Sequence, residues 1–539
     1  MANQPMELKL HAWQDECLES WLSNGRTGIL NVVTGAGKTA LAVAAIERLL
    51  AETESLQVKI VVPKTFLVSQ WINALREFLQ IQRHEIGVIS GSHKKLHDRK
   101  YMLYVINSAR HSLARHILND LLSSKPVFLI ADECHHYGTA ENSKIFDFYP
   151  WRFNGCPSAN RHIRDLTAAS TTPVYTLGLS ATPYCENFKE TLVPCLGPEI
   201  YHFSFFHAIS AGIINRFAVF HISLRFTAGE QDVYDELTGK IGIALNTLSK
   251  RNPGMGARDS SPFFMKLRRL VYTGTADPIS SDLAKAILLL MYQRKNVVYH
   301  ASSRVRCVLE LVRLIRSDAK IIIFGERIET ADEIYRELSG VYPNETGIYH
   351  SGIHKSVGES ALRKFKNGEI RILVSCKTLD EGLSVDNANV GIIVSSTNSS
   401  RQRTQRLGRI LRKKENKPAC FYYLYIEGTT EESDILRDHL GGLENEVPVM
   451  DLSYDCKANE FLNHHYDCLA ESVISRVLEN GLSEAEQAEL KRNLSKGILT
   501  CDWLLTEDEC RDNITGAKNK SERNYYAAML YMIRQGQNR

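Results

Sequence analysis

The chain has 539 residues, 24% of them charged and 44% hydrophobic, with a formal charge of +3. That length allows about three or four domains with cores of their own, and the composition is that of a globular protein. So small a net charge excludes binding of polyanions by overall charge alone, so any nucleic-acid contact must come from local clusters. No apolar run approaches the roughly 20 residues that cross a bilayer. The nearest, Ala286–Tyr292, is far too short, and Met1-Ala2-Asn3-Gln4-Pro5 lacks the basic segment and apolar core of a secretory signal. The twelve cysteines include no C-x-x-C. Cys456, Cys468, Cys501 and Cys510, with His464 and His465, fit no common zinc spacing, so reduced thiols of a cytoplasmic protein are expected.

In chain order, Leu10-His11-Ala12-Trp13-Gln14 leads into a helical segment over 15–22. The amide of Gln14 offers donors and an acceptor on one group, which suits it to adenine N6 and N7. Residues 28–33 are short, mostly apolar and β-branched at the end, as a buried parallel strand is. Thr34-Gly35-Ala36-Gly37-Lys38-Thr39 follows, then a helix whose Leu41, Val43, Ala44, Ile46 and Leu49 form one broad apolar face. Strand, glycine loop and helix in that order gather backbone N–H groups and a helix N-terminus around one point, which favours a polyphosphate. Lys38 is then placed for the β- and γ-phosphates and the Thr39 hydroxyl for Mg2+. Val32 stands where the fuller G-x-x-x-x-G-K-[ST] pattern has its first glycine.

Residues 58–62 read as a second buried strand, closed by Pro63-Lys64-Thr65 and followed by an amphipathic helix with Leu67, Gln70, Trp71 and Leu75. The basic run over 93–100 is by default a solvated loop. A third strand, 127–131, has Asp132-Glu133-Cys134-His135 at its carboxyl end, where parallel α/β sheets place ligands. Asp132 is suited to hold Mg2+, directly or through water, and Glu133 to orient and deprotonate an attacking water. A fourth strand, 174–179, ends in Ser180-Ala181-Thr182-Pro183, whose hydroxyls can hydrogen-bond the acidic cluster.

Gln14, the T-G-A-G-K-T of 34–39, the D-E-C-H of 132–135 and the S-A-T-P of 180–183 resemble the first RecA-like domain of superfamily 2 helicases and translocases, in order and in spacing. The G-L-S-A-T-P of 178–183 and the segment 208–214 resemble the XPB/UvsW and type III restriction-subunit branch. In that superfamily the phosphate loop begins at the position of Gly35, so Val32 is no obstacle. The resemblance implies ATP with Mg2+, held by Thr34, Gly35, Ala36, Gly37, Lys38 and Thr39, and a nucleic-acid partner, DNA favoured over RNA. It also implies contacts to the strand backbone from Pro63, Lys64, Thr65, Ser108, Arg327, His350 and Thr378.

In the second half, 219–224 reads as a bridging strand and 230–290 as mainly helical, with a basic bias from Lys250, Arg251, Arg258, Lys266, Arg268 and Arg269. Buried strands resume at 320–324 and continue at 347–350, 370–375, 390–394 and 421–425, with helices such as 330–338 and 359–366 between them. The alternation predicts a second parallel α/β domain with no phosphate loop of its own. On a helix, Gln405, Arg409 and Arg412 recur at intervals of four and three and share one face. Two guanidinium groups there can stabilise charge on a transferred phosphoryl. The stretch 405–412 resembles the superfamily's Q-x-x-G-R-x-x-R, which implies Arg409 and Arg412 as arginine fingers and Gln405 near the γ-phosphate. Ser384 departs from the aspartate that many relatives have in the matching stretch. Beyond Glu427 the resemblance fades.

The expected fold class is α/β: two tandem RecA-like parallel-sheet domains, 1–205 and 296–440. A strand and a mainly helical region over 206–295 join them, and a helical extension over 441–539 offers a place for protein partners. ATP hydrolysis in the cleft between the two domains would drive movement along nucleic acid or its remodelling, in the cytoplasm or at the nucleoid and without a membrane. A motor for a restriction or genome-defence complex and a low-turnover ATP-dependent switch are the alternatives.

Overall fold

Short runs of branched and aromatic residues, each separated by an amphipathic segment, set the architecture. The computed structural model describes residues 9–91, 99–153, 172–252, 261–272, 277–376, 388–395, 418–432, 447–462 and 482–537. By their internal contacts the described residues form two units that part between Asn215 and Arg216. Among them, no helix is long and apolar enough to cross a membrane.

The first unit is built on seven strands: Ile29–Val32 (β1), Gln57–Val62 (β2), Ile86–Ile89 (β3), Tyr101–Val105 (β4), Val127–Asp132 (β5), Val174–Ser180 (β6) and Glu199–Phe203 (β7). Their order is β3-β4-β2-β5-β6-β1-β7, with every neighbouring pair parallel. The helices Ala12–Ser23 (α1), Lys38–Glu52 (α2), Thr65–Phe78 (α3) and Ile106–Leu122 (α4) belong to this unit. All residues of β1, β4 and β5 are buried. Burial on both faces is why such strands read as unbroken apolar runs rather than alternating ones. Lys59 interrupts the run in β2, and its ammonium lies 2.7 Å from Asp120 on α4, so the buried charge is paired. Trp21 on α1 is equally buried and donates its indole N–H to the Thr176 carbonyl at 2.9 Å.

The second unit holds Phe217–Leu224 (β8), Ile321–Gly325 (β9), Thr346–Tyr349 (β10), Ile372–Cys376 (β11), Val390–Ile393 (β12), Ala419–Ile426 (β13), Val449–Asp455 (β14) and Glu460–Leu462 (β15). The order is β10-β11-β9-β12-β13-β8-β14-β15, parallel except for the β14–β15 pair. Two sheets dominated by parallel pairing, each with helices in its connections, give the tandem RecA-like fold.

Two segments differ from the expectation. Phe217–Leu224, read as a bridge, lies inside the second sheet between β13 and β14 with all eight residues buried. The segment after 441, read as helical, contributes the strands β14 and β15. The reason is a two-residue period: Met450, Leu452 and Tyr454 are buried while Asp451 between them is exposed. Among the described residues the helices Glu484–Leu499, Glu507–Thr515 and Lys520–Gln537 follow, packed around Leu494, Met529 and Met532. Asp502 ties them to the sheet unit, accepting from the Tyr525 hydroxyl at 2.5 Å and lying 3.3 Å from Arg316.

Candidate nucleotide site

Parallel strands all end at one edge, and in the first unit that edge gathers the residues singled out in the sequence. From β4 through β2, β5 and β6 to β1 the strand ends lead in turn to Ser108, Pro63–Thr65, Asp132–His135, Ser180–Pro183 and Thr34–Thr39. The loop after β1 turns through Gly35 and Gly37, whose φ angles of 88° and 101° lie in the left-handed region that favours glycine. Gly37 caps α2 without any side-chain hydrogen bond. The opening N–H groups of a helix have no partner within it, which makes this terminus an anion seat. The Lys38 ammonium folds back onto the Val32 carbonyl at 3.0 Å.

Gln14 is nearly fully buried beside that loop. Its Oε1 accepts from the His11 N–H at 2.8 Å and its Nε2 donates to the Gly37 carbonyl at 3.2 Å. The amide therefore braces the phosphate loop itself.

Asp132 ends β5, and Glu133 follows with φ at 49°, a left-handed conformation uncommon for a side-chain-bearing residue. The Asp132 carboxylate is held at both oxygens: the Trp71 indole N–H reaches Oδ2 at 2.9 Å and the Glu133 N–H reaches Oδ1 at 3.1 Å. Burial and the neighbouring Glu133 charge push its pKa up to about 6, against the pull of Trp71 and Lys38. The Tyr137 hydroxyl bridges the carbonyls of Asp132 and Val61, at 2.7 and 3.0 Å, and so pins β5 to β2. Ser180, expected to meet the acidic pair, instead bonds His135 Nδ1 at 2.9 Å and accepts from the Thr182 N–H at 3.0 Å. His135 Nδ1 in turn lies 3.5 Å from Glu133 Oε2. The link from the end of β6 to the catalytic candidate thus runs through an imidazole.

Oxygen donors such as the Thr39 hydroxyl and the Asp132 carboxylate are the chemistry a small divalent cation prefers. Of the expected strand contacts in this unit, Pro63 is buried, Lys64 and Thr65 are exposed at the start of α3, and the Ser108 hydroxyl accepts from the Gly91 N–H at 2.9 Å.

In the second unit, Arg327 donates to Asn296 Oδ1 at 2.8 Å, with its guanidinium 5.4 and 5.1 Å from the ring centres of Tyr292 and Tyr299. These three partners recur on one face of the helix Pro278–Tyr299, so Arg327 docks that helix. His350 is buried, with Nδ1 accepting from Gly352 N–H at 3.1 Å, so its Nε2 hydrogen points to Asp332 at 2.9 Å. Thr378, Ser384, Gln405, Arg409 and Arg412 lie outside the described residues, as does the basic run 93–98. Sequence reasoning missed Trp71 and Tyr137 as parts of the site. The one available signal was chemical, since a buried indole N–H or phenol needs a partner.

A glycine loop with a lysine, an acidic pair on the neighbouring strand end but one, and tandem parallel sheets define a RecA-like nucleotide hydrolase core. The family model "Type III restriction enzyme, res subunit" matches residues 7–185, and "Helicase conserved C-terminal domain" matches 303–414. A relative described as the DNA 3'-5' translocase XPB2 of Sulfurisphaera tokodaii is 28% identical over 426 residues, covering 79% of this chain and 83% of that one. One described as the DNA 3'-5' helicase XPB of Kineococcus radiotolerans is 25% identical over 430 residues, covering 79% of this chain and 61% of that one. The helicase domain of Pyrococcus furiosus Hef has the same fold, with a TM-score of 0.50 at 18% identity over 80% of this chain and 98% of that domain. Over these stretches the chain is similar to the superfamily 2 helicases, in the branch of XPB and the type III restriction subunits.

Proposed function

We propose that the chain hydrolyses ATP to translocate along DNA or to remodel a duplex. The observation that supports this best is a single sheet edge bearing Thr34–Thr39, Asp132 and Glu133, braced by Gln14 and Trp71. DNA is preferred over RNA because the matched relatives are described as DNA translocases and helicases.

The N–H groups opening α2 receive the β- and γ-phosphates, and Lys38 exchanges the Val32 carbonyl for them. Thr39 and Asp132 would hold Mg2+, which neutralises charge between the phosphates. Glu133 is partly exposed, so water can reach its carboxylate; it orients that water and takes its proton. Arg409 and Arg412 stabilise the charge on the departing phosphoryl, with Gln405 beside it, as the motif they share with relatives implies. Pro63, Lys64, Thr65 and Ser108 stand on the same edge as the phosphate loop and are offered to the strand backbone. Thr378, and more weakly Arg327 and His350, are the counterparts in the second unit. Backbone contacts of this kind are salt-sensitive and nearly indifferent to sequence.

The domain limits we adopt follow the strands: a first domain through 215, a second from 216 that includes β8, β14 and β15, and the terminal helices as the place for a protein partner. The test is ATP turnover measured against single- and double-stranded DNA and RNA. Stimulation by DNA is expected, and turnover indifferent to every nucleic acid would refute the reading. The match to a restriction subunit favours a second version, in which this motor serves a nuclease on another chain. Co-purification of a nuclease would distinguish it.

A further inference from the structure

Trp71 belongs to none of the motifs. It lies two turns into α3, is 1% exposed, and donates its indole N–H to Asp132 Oδ2 at 2.9 Å. An indole nitrogen is a donor only and seeks an acceptor when buried. Trp21 finds a backbone carbonyl, which is the ordinary solution. Trp71 instead spends its hydrogen on a carboxylate 61 residues away, at the point where the nucleotide's cation is expected.

The second oxygen of that carboxylate is also committed, to the Glu133 N–H at 3.1 Å. One donor on each oxygen fixes the carboxylate plane, because rotation about Cβ–Cγ would break both bonds together. Each sp2 oxygen keeps a second lone pair, and the direction of those lone pairs decides how a cation is met. Tyr137 holds the Asp132 main chain at its carbonyl, so among the described residues the indole is the side chain that hydrogen-bonds the carboxylate oxygens. Outer partners of this kind orient metal ligands, and their loss weakens metal binding.

We propose that Trp71 is a positioning residue for the divalent cation of the nucleotide site, holding Asp132 in the orientation that presents its remaining lone pairs to magnesium. This rests on the magnesium–nucleotide reading above. Trp71→Phe keeps a ring of similar shape and deletes only the donor. In the full chain, binding of a fluorescent ATP analogue is titrated with Mg2+. The half-saturating Mg2+ concentration is expected to rise about tenfold, while affinity for the analogue without Mg2+ stays the same. Trp21→Phe, which loses an equally buried indole bond to a backbone carbonyl, should leave that concentration unchanged.

An unshifted midpoint in Trp71→Phe, or an equal shift in Trp21→Phe, overturns the proposal. Wild-type binding that ignores Mg2+ overturns the cation site itself, which is a different failure. If Trp71→Phe does not fold, the wild-type chain with 15N-labelled indoles decides. The Trp71 N–H resonance, assigned by elimination among the five tryptophans, must move when Mg2+ joins the bound nucleotide; a resonance that stays in place overturns the proposal.

Discussion

The two sheets share a topology but end their strands differently. At the carboxyl edge of the first, β1 runs into a glycine loop that opens a helix and β5 into two adjacent carboxylates. Among the described residues at the corresponding edge of the second, a buried charge is paired internally. Arg304, fully buried, donates to the carbonyls of Val298, Val394 and Leu424 and to the carboxylate of Glu431. Glu431 also accepts from the Ile426 N–H at 3.3 Å, closing a network over the ends of β12 and β13. Among the described residues, the same scaffold carries the phosphate loop and acidic pair in one unit and a buried charge network in the other.

That contrast can be broken experimentally. Lys38→Ala and Glu133→Gln should each lower turnover by about 10^3-fold while leaving the unfolding transition cooperative, because both groups act on the bound phosphate or its attacking water. Steady-state phosphate release with a thermal melt on the same sample reads both. Arg304→Met should do the opposite. Removing the guanidinium from a buried carboxylate costs about 3–5 kcal/mol, so the melting temperature falls, and Arg304→Met with Glu431→Leu recovers most of it.

A smaller effect sharpens the comparison through pH. Burial and Glu133 raise Asp132 from 3.8 to about 6, so between those values the nucleotide-free folded chain holds a proton that the unfolded chain has released. This group's contribution to stability is therefore full below about pH 4, falls as pH rises through about 6, and is level above it. Glu133→Gln removes one of the two raising causes. It should shrink that fall by on the order of 1 kcal/mol, seen as a flatter melting temperature between pH 4 and 7. An unchanged slope would mean the acidic pair does not interact as described.

The legible parts of the molecule were the local ones. A phosphate loop is made by consecutive residues, so Thr34–Thr39 announces itself, and a carboxylate pair directly after an apolar run announces a strand end. The Trp71–Asp132 bond joins positions 61 apart, and helix periodicity marks Trp71 only as a core residue. Arg304 gave no signal either, since an arginine in a helix reads as solvated until three backbone carbonyls are found around it. For Arg327 the resemblance supplied a position, whereas the partners that hold its side chain are Tyr292, Asn296 and Tyr299 on the preceding helix. The strands β14 and β15 fell where the resemblance had faded, although alternation through Met450, Leu452 and Tyr454 was there to be counted.

The most direct test of the account compares nucleotide affinity with turnover in Arg409→Ala, in the presence of saturating DNA. If the phosphate loop seats the triphosphate and Arg409 lends the charge that makes its cleavage fast, affinity should stay within about threefold while turnover drops by about 10^3-fold. Turnover equal to wild type would contradict it, since hydrolysis would then need nothing from Arg409.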